Sequence, residues 1–110
     1  MSAPLRLAIA GCGEIAQWMA LFCRLNRRIR LVACCDRTLP VAEAFAARFR
    51  IPRAYADYGA LLEAERPDAV YLAVPHDLHF EMVVAAIEAG IHVLVEKPVA
   101  RTLAEGQEIV

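Results

Sequence analysis

The stretch Leu5-Arg6-Leu7-Ala8-Ile9-Ala10-Gly11-Cys12-Gly13-Glu14-Ile15-Ala16-Gln17-Trp18-Met19-Ala20-Leu21-Phe22-Cys23 sets the reading of the whole chain. Its first residues are an apolar run of strand length. Its last residues put apolar side chains at the three-to-four spacing of a helix face. Between the two stands Gly11-x-Gly13-x-x-Ala16. Gly11 lets the chain turn sharply off the strand, where φ can be positive. Gly13 lacks a Cβ, so another group can approach its backbone, and Ala16 lets the helix settle close to the sheet. The helix then offers unpaired N–H groups and the positive end of its dipole to an anion.

On its own, G-x-G-x-x-A is also compatible with an ordinary glycine turn. Its context argues for more. A second apolar run, Leu31-Val32-Ala33-Cys34-Cys35, ends in Asp36. An acid about 20 residues past such a turn is what meets the adenosine ribose hydroxyls in a dinucleotide site. The turn residues Gly11, Cys12, Gly13, Glu14, Ile15 and Ala16 are therefore the candidate pyrophosphate cradle.

Composition narrows the alternatives. The chain has 110 residues, a formal charge of −1 and 59% hydrophobic residues, which suits one domain. Near-neutrality gives no electrostatic basis for binding nucleic acid or an anionic membrane. No apolar run reaches the roughly 18 residues of a membrane span, and the early apolar run is better used as a strand than as a signal peptide. A cytoplasmic protein is expected. Cys12, Cys23, Cys34 and Cys35 contain no C-x-x-C pair, so no metal site is expected. They read as small buried apolar residues, with Cys34 and Cys35 on opposite faces of a strand. Cys12 is the exception, because a helix N-terminus beside it is expected to lower its thiol pKa.

The remaining elements alternate. Asn26-Arg27-Arg28-Ile29-Arg30 is a solvated, basic helix end. Thr38 or Asp36 can cap a second helix over residues 41–49, and residues 53–56 read as a short edge strand. Asp57 caps a third helix over residues 58–65. Residues 69–74 form the most continuous apolar run, the pattern of a strand covered on both faces. Pro75 ends it, and His76-Asp77-Leu78-His79 leads into a helix closed by Gly90. Residues 91–95 read as strand five, with His92 as a packed or satisfied structural histidine, and Thr102-Leu103-Ala104-Glu105 has the spacing of a capping box. This alternation predicts an α/β fold, a doubly wound parallel sheet of Rossmann type in the order 3-2-1-4-5. Its ligand should lie at the carboxyl ends of strands one and four.

With strands four and five placed, the segment Asp68-Ala69-Val70-Tyr71-Leu72-Ala73-Val74-Pro75, then His79, then Ala89-Gly90-Ile91-His92-Val93-Leu94-Val95-Glu96-Lys97-Pro98 resembles the glucose–fructose oxidoreductase and inositol dehydrogenase (Gfo/Idh/MocA) family. The resemblance implies an NAD- or NADP-dependent oxidoreductase of sugars, cyclitols or related polyols. It implies that Gly11, Gly13 and Ala16 line the pyrophosphate, and that Asp36 and Arg37 lie at the adenosine end. Val74, Pro75, His76 and His79 would border the nicotinamide, with His79 either touching the cofactor or packing a helix start. Val74 stands where the family often has Thr, and His76 where it often has Asn. Glu96, Lys97 and Pro98 would form the active-site edge, with Lys97 the candidate catalytic residue. An ammonium near the reacting hydroxyl stabilises alkoxide-like charge, and Glu96 either orients Lys97 or is simply solvated. Asp36 accepts ribose hydroxyls and repels a 2′-phosphate, which favours NAD. Arg37 beside it is suited to stack on adenine or to meet a 2′-phosphate.

Family members continue into a second, substrate-binding domain. The resemblance therefore implies that residues 1–110 are the dinucleotide-binding domain alone, truncated before that half, with little catalysis of its own. Strand five would then be a bare apolar edge, and a homo-oligomer is expected. Trp18, on the helix leaving the phosphate loop, is expected to report cofactor binding. Two alternatives stay open: a non-catalytic nucleotide-binding module, and an S-adenosylmethionine-binding domain.

Overall fold

The elements follow in the order β1 (Leu5–Ala10), α1 (Glu14–Leu25), β2 (Ile29–Cys35), α2 (Leu39–Phe49), β3 (Arg53–Tyr55), α3 (Tyr58–Glu65), β4 (Ala69–Leu72), α4 (His79–Glu88) and β5 (His92–Val95). They are taken from a computed structural model that describes residues 3–74 and 78–95. All paired strands run parallel, in the order β3-β2-β1-β4-β5 that the alternation predicts.

Burial explains the order. The last four residues of β1 and all four of β4 are buried, as central strands covered on both faces must be. One apolar layer joins Leu7, Ile9, Cys34 and Tyr71 to Ala16, Ala20 and Cys23 of α1 and to Phe45 and Phe49 of α2. The other joins Ala8, Ala10, Cys35, Val70 and Leu72 to Leu61 and Leu62 of α3 and Ala86 of α4. Cys34 and Cys35 fall in opposite layers, as strand alternation requires. The side of α1 facing the sheet carries only small buried residues, so the helix lies close to β1.

Local chemistry sets the ends. Asp57 caps α3 by accepting the Gly59 N–H at 3.0 Å. Thr38 occupies the cap position of α2 but makes no side-chain cap bond. Its own N–H donates to Asp36 Oδ1 at 3.0 Å. α2 starts two residues before its expected beginning, because Pro40 sits in the first turn, where a missing N–H costs nothing. Gly90, at φ +77°, closes α4. Two expectations fail. β4 stops at Leu72, two residues short of the expected end, although the Ala73 N–H still donates to Ala10 of β1. His92 is not packed but exposed, because β5 lies at the sheet edge. The capping box at residues 102–105 lies outside the described residues.

Candidate functional site

The carboxyl ends of β1, β2 and β4 are tied together by their backbones. Gly11 N–H donates to the Cys35 carbonyl at 2.8 Å, and Ala73 N–H donates to the Ala10 carbonyl at 2.8 Å. Gly11 takes φ +94°, and a Cβ there would run into the Ala73 carbonyl and Val74 Cγ1. Its place is fixed by backbone strain and by contact with the end of β4.

Above these ends opens a cleft of about 510 Å³. It brings together Gly11, Cys12, Gly13, Asp36, Arg37 and Val74 from the sequence-predicted set. Gly13 is the N-cap of α1 and has no side-chain cap bond, so the first helical N–H groups have no such partner. A Cβ at Gly13 would meet nothing within 4 Å, so the space beside it is open. Asp36 Oδ2 accepts the Cys12 N–H at 3.1 Å, while Oδ1 accepts the Thr38 N–H. Each carboxylate oxygen keeps capacity for a further donor. Arg37 is exposed in the same cleft and forms no ion pair among the described residues. An uncapped helix N-terminus, an open glycine and an acid with spare acceptor sites fit a dinucleotide.

The other predicted residues separate from this group. Ala16 is buried against the sheet, the packing role its size predicts. The side chains of Glu14 and Ile15 are exposed outside the cleft. Glu14 borders a different groove, with Arg24 and Arg48. The His79 ring Nε2–H donates to the Val74 carbonyl at 2.9 Å, which ties the start of α4 to the end of β4. Pro75, His76, Glu96, Lys97 and Pro98 lie outside the described residues.

The expectation for Cys12 is overturned. Its Sγ–H donates to the Cys35 carbonyl at 3.4 Å and it is buried. The adjoining Cys34 thiol, burial and the nearby Asp36 carboxylate push its pKa up, not down. The helix N-terminus does not offset the loss of water around a thiolate. Trp18 lies on the helix leaving the glycine turn, as expected, and borders the groove with Glu14 and Arg24 rather than the cleft.

Sequence reasoning missed Thr38, Ala56, Asp57, Tyr58, Leu78 and Met82, all of which line the cleft. Asp57 and Tyr58 lie two and three residues past β3, and the rule that ligands bind outside the carboxyl ends of the strands could have pointed to them. Tyr58 O–H donates to the Met82 carbonyl at 2.8 Å, joining α3 to α4 below the cleft. Burial and the neighbouring Cys35 push its pKa up to about 12.

Comparisons with known proteins agree with this geometry. The model of the oxidoreductase family with an NAD-binding Rossmann fold (Gfo/Idh/MocA) matches residues 5–110, and the chain belongs to that family. It is an NAD-binding oxidoreductase domain related to sugar and cyclitol dehydrogenases. It is 38% identical to D-glucoside 3-dehydrogenase of Escherichia coli over 110 residues, covering 98% of this chain and 31% of that protein. A 3-ketoreductase from Actinomadura kijaniata, solved with NADP and TDP-benzene, superposes with a TM-score of 0.82 at 32% identity. That match covers 96% of this chain and 33% of the other. An NAD-binding oxidoreductase from Klebsiella pneumoniae gives 0.82 at 34% identity, covering 97% and 30%. The chain thus spans about a third of the length of these relatives. No helix among the described residues is long and apolar enough to cross a membrane.

Proposed function

We propose that this chain is the cofactor-binding half of a dehydrogenase that moves hydride between a nicotinamide dinucleotide and a hydroxyl-bearing carbon of a sugar, cyclitol or related polyol. The observation that carries the reading is Asp36 sharing one cleft with the uncapped N-terminus of α1. NAD is the preferred cofactor. Asp36 has acceptor capacity left for ribose hydroxyls, and its charge opposes a 2′-phosphate. Arg37 in the same cleft supports a second reading, NADP, since a guanidinium suits a phosphate.

When bound, the nicotinamide supplies the hydride acceptor or donor. The chain's own residues bind and orient it. The first turn of α1 faces the anionic bridge, Asp36 holds the adenosine end, and Val74 borders the far end of the cleft. Lys97, assigned from the family resemblance, stabilises charge on the reacting oxygen. The relatives' greater length supports assigning the sugar or cyclitol to a further domain, so this chain alone turns over little.

Titration with NADH and with NADPH, read from the cofactor's own fluorescence, tests the proposal. Saturable binding that is tighter for NADH supports it. Tighter NADPH binding selects the second reading. Binding of S-adenosylmethionine in place of both would overturn it.

A further inference from the structure

Three adjacent strands, β1, β2 and β3, each end at the cleft in a different polar device. β1 runs into the glycine turn, β2 into Asp36, and β3 into Asp57, two residues past Tyr55. The Asp36 N–H donates to the Tyr55 carbonyl at 3.1 Å, which fixes the end of β3 beside the Asp36 loop. Neighbouring strands lie about 4.8 Å apart. A nucleotide with its phosphates at the start of α1 and its ribose at Asp36 therefore extends its base towards the end of β3, where Asp57 lines the cleft. The surroundings suit a flat ring. Tyr58 and Met82 pack on the α3–α4 side of the sheet and, with Ala56 and Leu78, give the cleft an apolar wall. The Tyr58 hydroxyl donates to the Met82 carbonyl, so its proton is not available to a ligand.

We infer that Asp57 reads the base of the dinucleotide: its carboxylate accepts the exocyclic amino group of adenine and disfavours a purine that carries a carbonyl at that position. Asp57 caps α3 with one oxygen only. Oδ1 accepts the Gly59 N–H at 3.0 Å, while Oδ2 accepts no hydrogen bond from a described residue. Nor does Asp57 form an ion pair among the described residues. A carboxylate can only accept, and the amino group is the donor that an adenine ring offers. Hypoxanthine has a carbonyl in its place, so an acceptor would meet an acceptor. A site built to hydrogen-bond an N–H discriminates against the analogue that lacks it. The inference rests on a nicotinamide dinucleotide occupying this cleft. It adds to that reading a residue after β3 that selects the base, beside Asp36, which meets the ribose.

Titration with NADH and with reduced nicotinamide hypoxanthine dinucleotide, both read from the nicotinamide fluorescence, tests this. The two share phosphates, riboses and nicotinamide, so the ratio of their affinities isolates the base. NADH should bind about tenfold tighter, the effect of one hydrogen bond to a charged acceptor. Asp57→Asn keeps an oxygen for the Gly59 N–H and caps a helix as well as Asp does, so the thermal midpoint should not move. Its amide turns a donor towards the base, and the preference for NADH should vanish or invert, a change that a purely structural role for Asp57 would not produce. Equal affinities in the wild-type chain overturn the inference while leaving the cofactor-binding reading intact. A preference for NADH that Asp57→Asn leaves in place does the same, since the base is then read elsewhere. A chain that binds neither dinucleotide overturns both.

Discussion

Asp36 Oδ2 accepts the backbone N–H of Cys12 at 3.1 Å, so the acid after β2 holds the glycine turn after β1. Its other oxygen holds the backbone of Thr38. One side chain therefore positions two loops and also faces the cleft. Asp36→Ala removes two charge-assisted hydrogen bonds, one from the part-buried Cys12 N–H and one from the exposed Thr38 N–H. It should cost about 1–3 kcal/mol of stability, measured by urea denaturation. NADH affinity should fall more than about tenfold, from lost contacts to a charged acceptor. Unchanged NADH binding in a stable Asp36→Ala variant would remove the ribose assignment.

The two turn glycines should respond differently to the same substitution. Gly11→Ala combines φ +94° with a Cβ driven into the Ala73 carbonyl, where backbone cannot yield cheaply. It should cost about 3 kcal/mol or more, strain and overpacking together, and leave little folded protein. Gly13→Ala meets open space at φ −86°. It should change stability by less than about 1 kcal/mol, the scale of an N-cap exchange, yet abolish NADH binding. Wild-type cofactor affinity in Gly13→Ala would show that nothing needs to approach that backbone.

Most of the fold was legible because its signals are short in range. The spacing of Gly11, Gly13 and Ala16, the unbroken apolar run of β4, and Asp57 ahead of α3 each need only neighbouring residues. What was not legible depends on residues distant in sequence. A run such as Ile91-His92-Val93 does not say which strand lies at the edge, so His92 reads as packed although it is exposed. Position beside a helix N-terminus does not reveal that Cys12 is buried against the Cys35 carbonyl. Periodicity showed that α1 is amphipathic but not which face meets the sheet. Small residues face it because the glycine turn brings helix and strand close, and Trp18 is left outside.

The buried thiols make the fold sensitive to base. Burial raises Cys23 from 9.0 to about 11, and burial with the neighbouring Cys34 raises Cys35 to about 12. Above pH 9 the unfolded chain releases these protons while the folded chain keeps them. The unfolded state then binds fewer protons, so stability falls as pH rises. The contribution is fully present below pH 9 and is lost towards pH 11 for Cys23 and pH 12 for Cys35. Each thiol should give a slope on the order of 1 kcal/mol per pH unit in that window. Urea midpoints at pH 7.5, 9 and 10.5 should decline only over the last interval, and Cys35→Ala should flatten the decline. A flat profile to pH 10.5 would mean that water reaches these thiols.

His79 separates touching the cofactor from holding the site. Its ring donates to the Val74 carbonyl at 2.9 Å, and Val74 in turn abuts the Gly11 turn and borders the cleft. A shift at the start of α4 is therefore passed to the glycine loop through two contacts. His79→Ala deletes the donor and should cost about 1–2 kcal/mol, with NADH affinity falling at most about five- to thirtyfold as the turn loosens, the same free energy read at the cleft. His79→Gln keeps an amide donor in the first turn of α4 and should recover part of both losses. If the imidazole instead contacts the cofactor, His79→Ala loses affinity with its urea midpoint unchanged, and Gln rescues neither. A parallel fall and joint partial rescue of stability and affinity would establish His79 as the tether between β4 and α4.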